Sequence, residues 1–229
     1  MILNLYVEKQ KLHPKDYKYD LSFKYINDSN NNIVAEGVHG LYSGTPTILK
    51  YDNNEYIFNG SPKKIDRIIL NTRYPLCSKR KWTFGYYIDS NTDKNIFYYG
   101  EAITCQKKFL FKKNVGLTVI NIDDKHYKVY RIGFFNEPHH YYSIHNENNK
   151  TIAVIKRLYG EEIRAKIYIE KEKDLFIALL ACTQEVIDLI YYDADGHIRD
   201  RSLGNYTSLL EEEKQMLDKS FIDKFEKKL

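Results

Sequence analysis

One segment limits what this chain can become more than any other. From Lys173 to Tyr192 the sequence has no Gly or Pro and is too long for a strand, and Leu175-Phe-Ile-Ala-Leu-Leu-Ala-Cys182 is apolar in every direction around a helix. A helix that is hydrophobic all round must be enclosed on every side. Gln184, Glu185 and Asp188 follow in its second half, and at a bilayer centre each charge costs about 2.5–3.5 kcal/mol. No window approaches the roughly 18 consecutive apolar residues of a membrane span. A helix over about 174–192, sheathed by a sheet of the same chain, is the expected solution.

Strands for such a sheath are plentiful. Met1 to Glu8 reads as a first strand, since no basic segment precedes its apolar stretch and no small-residue cleavage site follows it, so no export signal is expected. Apolar and polar residues alternate over Asp20 to Ile26, Glu55 to Asn59, Asp66 to Leu70, Trp82 to Ile88, Asn95 to Tyr99 and Lys107 to Phe111. The pattern resumes over Val115 to Ile122, Tyr127 to Ile132, Tyr141 to Ile144, Thr151 to Arg157 and Ile163 to Glu170. In the last, Ile163, Ala165, Ile167 and Ile169 predict a buried face, and Arg164, Lys166, Tyr168 and Glu170 a wet one. Turn residues punctuate the series at 27–32, 52–54, 59–62, 90–93 and Asp123-Asp124. The 21 Tyr and 11 Phe, against 11 Gly and 5 Pro, suit half-buried pleated surfaces. The expected class is mainly β (α+β): an antiparallel β-barrel enclosing one hydrophobic helix over 1–200, with a helical extension over 201–229.

That extension opens with Ser208-Leu-Leu-Glu211, which matches a capping box. Leu210, Leu217, Phe221, Phe225 and Leu229 then make one apolar stripe, with Lys224, Lys227 and Lys228 in the last turns. An amphipathic helix of this kind either packs on its own barrel or offers Leu210, Leu217, Phe221 and Phe225 to a partner; a membrane surface would be a further use.

Strands ending in a wholly apolar helix resemble the tubby-like superfamily, which includes tubby C-terminal domains, LURP-one-related proteins and phospholipid scramblases. The resemblance is strongest over residues 127–192. It is carried by Tyr127-Lys-Val-Tyr-Arg-Ile-Gly133, by the hairpin from Tyr142 to Arg157, and by Ala165-Lys-Ile-Tyr-Ile169 leading into the apolar helix. It implies a closed barrel threaded by a hydrophobic helix and, in some members, binding of membrane lipids; it implies no catalysis. No basic motif of the phosphoinositide-binding kind is present, so no lipid-site residue carries over. The family's helix is usually near the chain end, and residues 193–229 depart from that.

Motifs for chemistry are sparse. Asp193-Ala-Asp-Gly196 suggests a calcium loop, but with Gly196 in sixth place the first and twelfth positions are Tyr191 and Ser202, so both ligands fail; a turn ending the buried helix is expected instead. His139 and His140 follow Pro138, with His126 and His145 nearby, yet no Cys or carboxylate stands at metal spacing, and surface histidines are expected. No metal or cofactor is predicted. Neither a nucleophile elbow nor a phosphate-binding Gly loop occurs, so no enzyme is predicted. The odd set Cys77, Cys105 and Cys182 fits a reducing cytoplasmic compartment.

Two basic clusters remain, Lys79-Arg80-Lys81-Trp82 and Lys107-Lys108 with Lys112-Lys113. Cations beside aromatics suit anionic ligands or lipid headgroups, although lysines also guard strand edges. The net charge of +4 permits such contacts without demanding them, and nucleic acid is not expected. The reading that results is a non-catalytic binding module for a protein partner, of the inhibitor or immunity type. The Asn-, Lys-, Ile- and Tyr-rich composition suggests an AT-rich bacterial source. Peripheral binding of anionic membrane lipid is the alternative.

Overall fold

The computed structural model describes residues 1–9, 21–40, 46–58, 80–94, 96–106, 112–134, 137, 139–159, 162–187, 190–192, 198–200 and 214–227. Alternating residues and short turns produce an antiparallel meander: β1 (Ile2–Lys9), β2 (Leu21–Asn27), β3 (Ile33–His39), β4 (Thr47–Tyr51), β5 (Asn54–Phe58), β6 (Arg80–Ser90), β7 (Ile96–Gln106), β8 (Lys112–Ile122), β9 (Lys125–Gly133), β10 (His140–His145), β11 (Thr151–Arg157) and β12 (Ile163–Ile169). Each strand pairs with its neighbours in sequence, and β12 returns to β1 to close the barrel. Closure sets Leu3 opposite Ile167 and Leu5 opposite Ala165, where small and large inward residues alternate. The Met1 amine donates to the Ile169 carbonyl at 2.8 Å, fastening the first residue to the end of β12.

Turn chemistry fixes the register. Asp52 and Asn53 have φ of 52° and 60°, and Asp123 and Asp124 of 46° and 68°. Two successive left-handed residues make the tight turn whose twist matches a hairpin, and Asn and Asp tolerate that conformation best after Gly. Tyr51 accordingly pairs with Asn54, and Ile122 with Lys125.

Strands β3 and β4 were not among the expected segments. Glu36 and Gly37 interrupt the apolar alternation of β3, and β4 is short, so neither has a strong pattern. Gly37 has a packing reason, because a Cβ there would collide with the Phe23 ring and the Ile48 carbonyl. Asp66 to Leu70 and Lys107 to Phe111 lie outside the described residues.

The apolar segment is helical inside the barrel, but over a shorter span than 174–192. A 3-10 turn, Glu172–Asp174, leads into α1 (Leu175–Glu185). Ala178, Leu179, Leu180, Ala181 and Cys182 are fully buried, in one core with inward residues from around the wall. Eleven residues rise about 16 Å. Beyond them, Ile190–Tyr192 (β13) pairs with Ile198–Asp200 (β14) in a small separate sheet. Ile190, Tyr191 and Tyr192, β-branched and aromatic, favour extended backbone and pair as a strand, so the helix does not run on to Tyr192. Gly196 does not end it and lies outside the described residues.

The outer helix is shorter too. Residues 201–213, with Leu210 and the capping box, lie outside the described residues, as does Leu229. The helix that is seen, α2 (Lys219–Glu226), starts after Asp218, whose backbone is extended as at a helix N-cap. Leu217, Phe221 and Ile222 pack on the outside of the barrel against Ile132, Tyr141, Val154 and Tyr168. This corrects the expectation for Tyr168. It points outward but is fully buried, because α2 covers it and Glu226 accepts its hydroxyl at 2.6 Å.

Candidate functional site

The barrel interior is occupied by α1 and held by hydroxyl groups along its second half. Tyr25 and Thr183 share a buried hydrogen bond of 2.8 Å. Tyr98 and Thr118 donate to Glu185 Oε1 at 2.8 and 2.7 Å, and the Tyr142 hydroxyl reaches the Glu185 carbonyl at 3.2 Å. A carboxylate so deep is tolerable only when it accepts hydrogen bonds, and its two donors come from the adjacent strands β7 and β8. Burial pushes the Tyr25 and Tyr142 hydroxyls well above the ordinary phenol range, so both stay protonated. Burial also pushes the Cys182 thiol up to about 12, leaving it a small hydrophobe rather than a nucleophile.

At the rim where α1 enters, Phe176 stacks on Tyr51 at 5.7 Å and leans on Tyr56 at 4.8 Å, with the Lys94 ammonium 4.5 Å above its ring. Beside it, an open cleft of about 430 Å³ lies between the start of β3 and the β4–β5 turn. The edge of this cleft is marked by Ile33, which is 55% exposed.

Two of the four histidines singled out in the sequence are placed otherwise than expected. His140 and His145 are buried. His140 Nδ1 meets the Tyr159 hydroxyl at 2.7 Å. His145 Nε2 lies 2.8 Å from Ser143 Oγ and 3.0 Å from the Met216 carbonyl, and its Nδ1 lies 3.2 Å from the Asn149 carbonyl. His145 therefore ties β10 to the segment just before α2. Nothing in the sequence marks this link, because Met216 is far along the chain. Among the described residues, no group of three His, Cys, Asp or Glu is arranged to hold a metal ion, and no helix is long and apolar enough to cross a membrane.

The candidate partner residues Leu217 and Phe221 are buried against the barrel, at 6% and 2% exposure. Phe225 is half-buried, with its ring 5.9 Å from that of Tyr168. Leu217 and Phe221 of the stripe proposed for a partner are thus covered by the chain's own wall, and Leu210 lies outside the described residues.

The basic clusters meet through strand register. Arg80 pairs with Ile103 near the end of β7, while Cys105 and Gln106 pair with Lys113 and Lys112 at the start of β8. Arg80, Lys81 and Trp82 therefore stand at the same end of the sheet as Lys112 and Lys113, the end opposite the α1 entry. Lys79, Lys107 and Lys108 lie outside the described residues. Among the described residues the barrel wall also parts here. β5 pairs β6 only from Phe58 to Tyr56, and β9 pairs β8 only from Lys125 to Tyr130. Among the described residues, the outer parts of β6, β7 and β8 thus form a ribbon of three strands paired with one another alone. Compared with protein-family models, with curated proteins and with solved structures, the chain matches none.

Proposed function

We propose that this chain is a non-catalytic binding module that recognises a protein partner by an acidic surface, in the manner of an inhibitor or immunity-type protein. The observation that carries this reading is the register that brings Arg80 and Lys81 to the same strand ends as Lys112 and Lys113. Two basic segments far apart in sequence become one, and concentrated charge of one sign steers and selects an oppositely charged partner. The interior supports the same reading, since α1 takes up the space where a barrel would hold a ligand. A cytoplasmic setting is part of the proposal, supported by the sealed free thiol of Cys182. So is kinship with the tubby-like superfamily, supported by a closed barrel around an apolar helix.

A second reading, peripheral binding to anionic lipid, is favoured by Trp82 within the basic segment, since indole rings settle at membrane interfaces. One pair of measurements separates the two. Lys79, Arg80, Lys81, Lys107, Lys108, Lys112 and Lys113 are replaced by Gln, and the variant is compared with the parent in affinity capture from the source cell and in co-sedimentation with phosphatidylserine vesicles. A protein held by the parent and released by the variant, with no sedimentation of either, supports the protein partner. Sedimentation lost on neutralisation supports lipid. Capture indifferent to the seven changes would remove the charged ribbon from the function.

A further inference from the structure

The place where β8 leaves β9 carries a more specific consequence, which rests on the protein-partner reading. Leu117 is the last β8 residue that β9 pairs, opposite Tyr130. Beyond it β9 turns to β10 alone, with Arg131, Ile132 and Gly133 opposite Tyr142, Tyr141 and His140. On its other side β8 stays paired with β7 all the way to Lys112. From Lys112 to Gly116, then, the strand is held on one edge, and among the described residues no strand pairs with the other. Five residues of edge run about 17 Å, enough for one short strand of a second chain.

An open strand edge pairs indiscriminately with apolar β-segments unless its charges prevent it. Lys112 and Lys113 sit in this edge, and over the described ribbon residues 80–87, 99–106 and 112–116 the sequence has Arg80, Lys81, Lys112 and Lys113 against Glu101 as the one carboxylate. Lysines in such a row repel another basic strand and attract an acidic one. The guard against aggregation and the means of selection are the same residues. We propose that the β8 edge from Lys112 to Gly116 binds an extended acidic segment of a partner protein by strand addition: main-chain hydrogen bonds supply the affinity and the lysines the choice of partner. The occupant is a protein segment rather than a lipid, because only a peptide backbone offers the alternating donors and acceptors that a strand edge pairs.

The test uses the full chain and a ten-residue peptide alternating Glu and Thr, with a Lys-Thr peptide of the same length as control. Two further Glu-Thr peptides carry N-methyl groups on every second amide, one in each phase. Binding is read by fluorescence anisotropy. The expected result is salt-sensitive binding of the Glu-Thr peptide and none of the Lys-Thr peptide. Methylation in one phase should weaken binding about tenfold or more, through lost ladder hydrogen bonds, while the other phase leaves it unchanged. Lys112→Glu with Lys113→Glu should reverse the preference to the Lys-Thr peptide; the methylated pair needs no variant, so misfolding of this one would not blunt the test. If both methylated peptides bind as the parent peptide does, charge alone holds the segment: strand addition is wrong while the acidic-partner reading stands. If no Glu-Thr peptide binds and phosphatidylserine vesicles do, strand addition falls and the protein-partner reading with it.

Discussion

The two α-helices among the described residues solve opposite problems. α1 is apolar on all sides and is wrapped by the barrel wall; α2 is amphipathic and lies on the wall's outer surface, burying Phe221 and Ile222 while Lys224, Glu226 and Lys227 stay in solvent. The first is part of the reason the barrel exists, since twelve strands closing on nothing would leave a void that native packing densities forbid. The second fastens onto a surface that is already built. One helix is therefore expected to report global stability, and the other a local attachment able to open without unfolding the rest.

The largest expected effect falls on α1. Leu180→Ala leaves a cavity inside the closed wall and should lower stability by about 2–5 kcal/mol, seen as a single lowered transition in urea. Leu180→Asp should yield no folded barrel by circular dichroism, because a buried unpaired charge far exceeds the margin of a typical domain. Phe221→Ala on α2 removes a comparable volume. Its loss should be about 3 kcal/mol, the low end for a buried Phe→Ala change, and local: trypsin should cut within 214–227 while the barrel transition keeps its midpoint. A barrel midpoint that falls as far as with Leu180→Ala would erase the distinction between the helices.

Smaller effects sharpen the contrast. Glu185→Ala strips the acceptor from Tyr98 and Thr118 and should cost about 1–3 kcal/mol of global stability. Glu185→Gln, which keeps one acceptor oxygen, should cost less. The smallest effect is the pH dependence carried by His145. Burial holds its folded-state value below the ordinary 6.5, against the upward pull of the Met216 and Asn149 carbonyls and with the Lys128 ammonium adding to the depression. The unfolded chain thus takes up the proton first. The contribution is fully present above about 6.5 and is lost as pH falls from there toward the lower folded value. Tyr130 also faces the ring, with centroids 5.0 Å apart. Protease release of the 214–227 segment should rise on acidification in that range, and His145→Asn should flatten the rise.

Much of the barrel was legible because its physics is local. Alternation predicted β2, β5, the beginning of β7 and most of β6 and of β8 to β12, and paired Asp and Asn residues placed two of the tight turns. The apolar run around Leu179 required a sheath. Less legible were features that depend on residues distant in sequence. Tyr168 reads as a solvent residue because nothing in β12 discloses the helix that covers it. Ile190 to Tyr192 reads as the end of a helix because an apolar run without Gly or Pro suits helix and strand alike over a short span. The same holds for the candidate site. Each basic cluster is visible by itself, but their meeting depends on the β6–β7–β8 register, and the burial of His145 on a segment 71 residues away has no signature in sequence at all.

Amide hydrogen exchange, followed by mass spectrometry on the intact folded chain, puts the enclosure of α1 to its most direct trial. Peptides covering Leu179 to Cys182 should exchange only by global unfolding, with protection equal to the unfolding free energy from urea, while peptides covering Lys219 to Glu226 should exchange far sooner. Early exchange across Leu179 to Cys182, at or above the rate of α2, would mean that this helix is not enclosed by its own barrel.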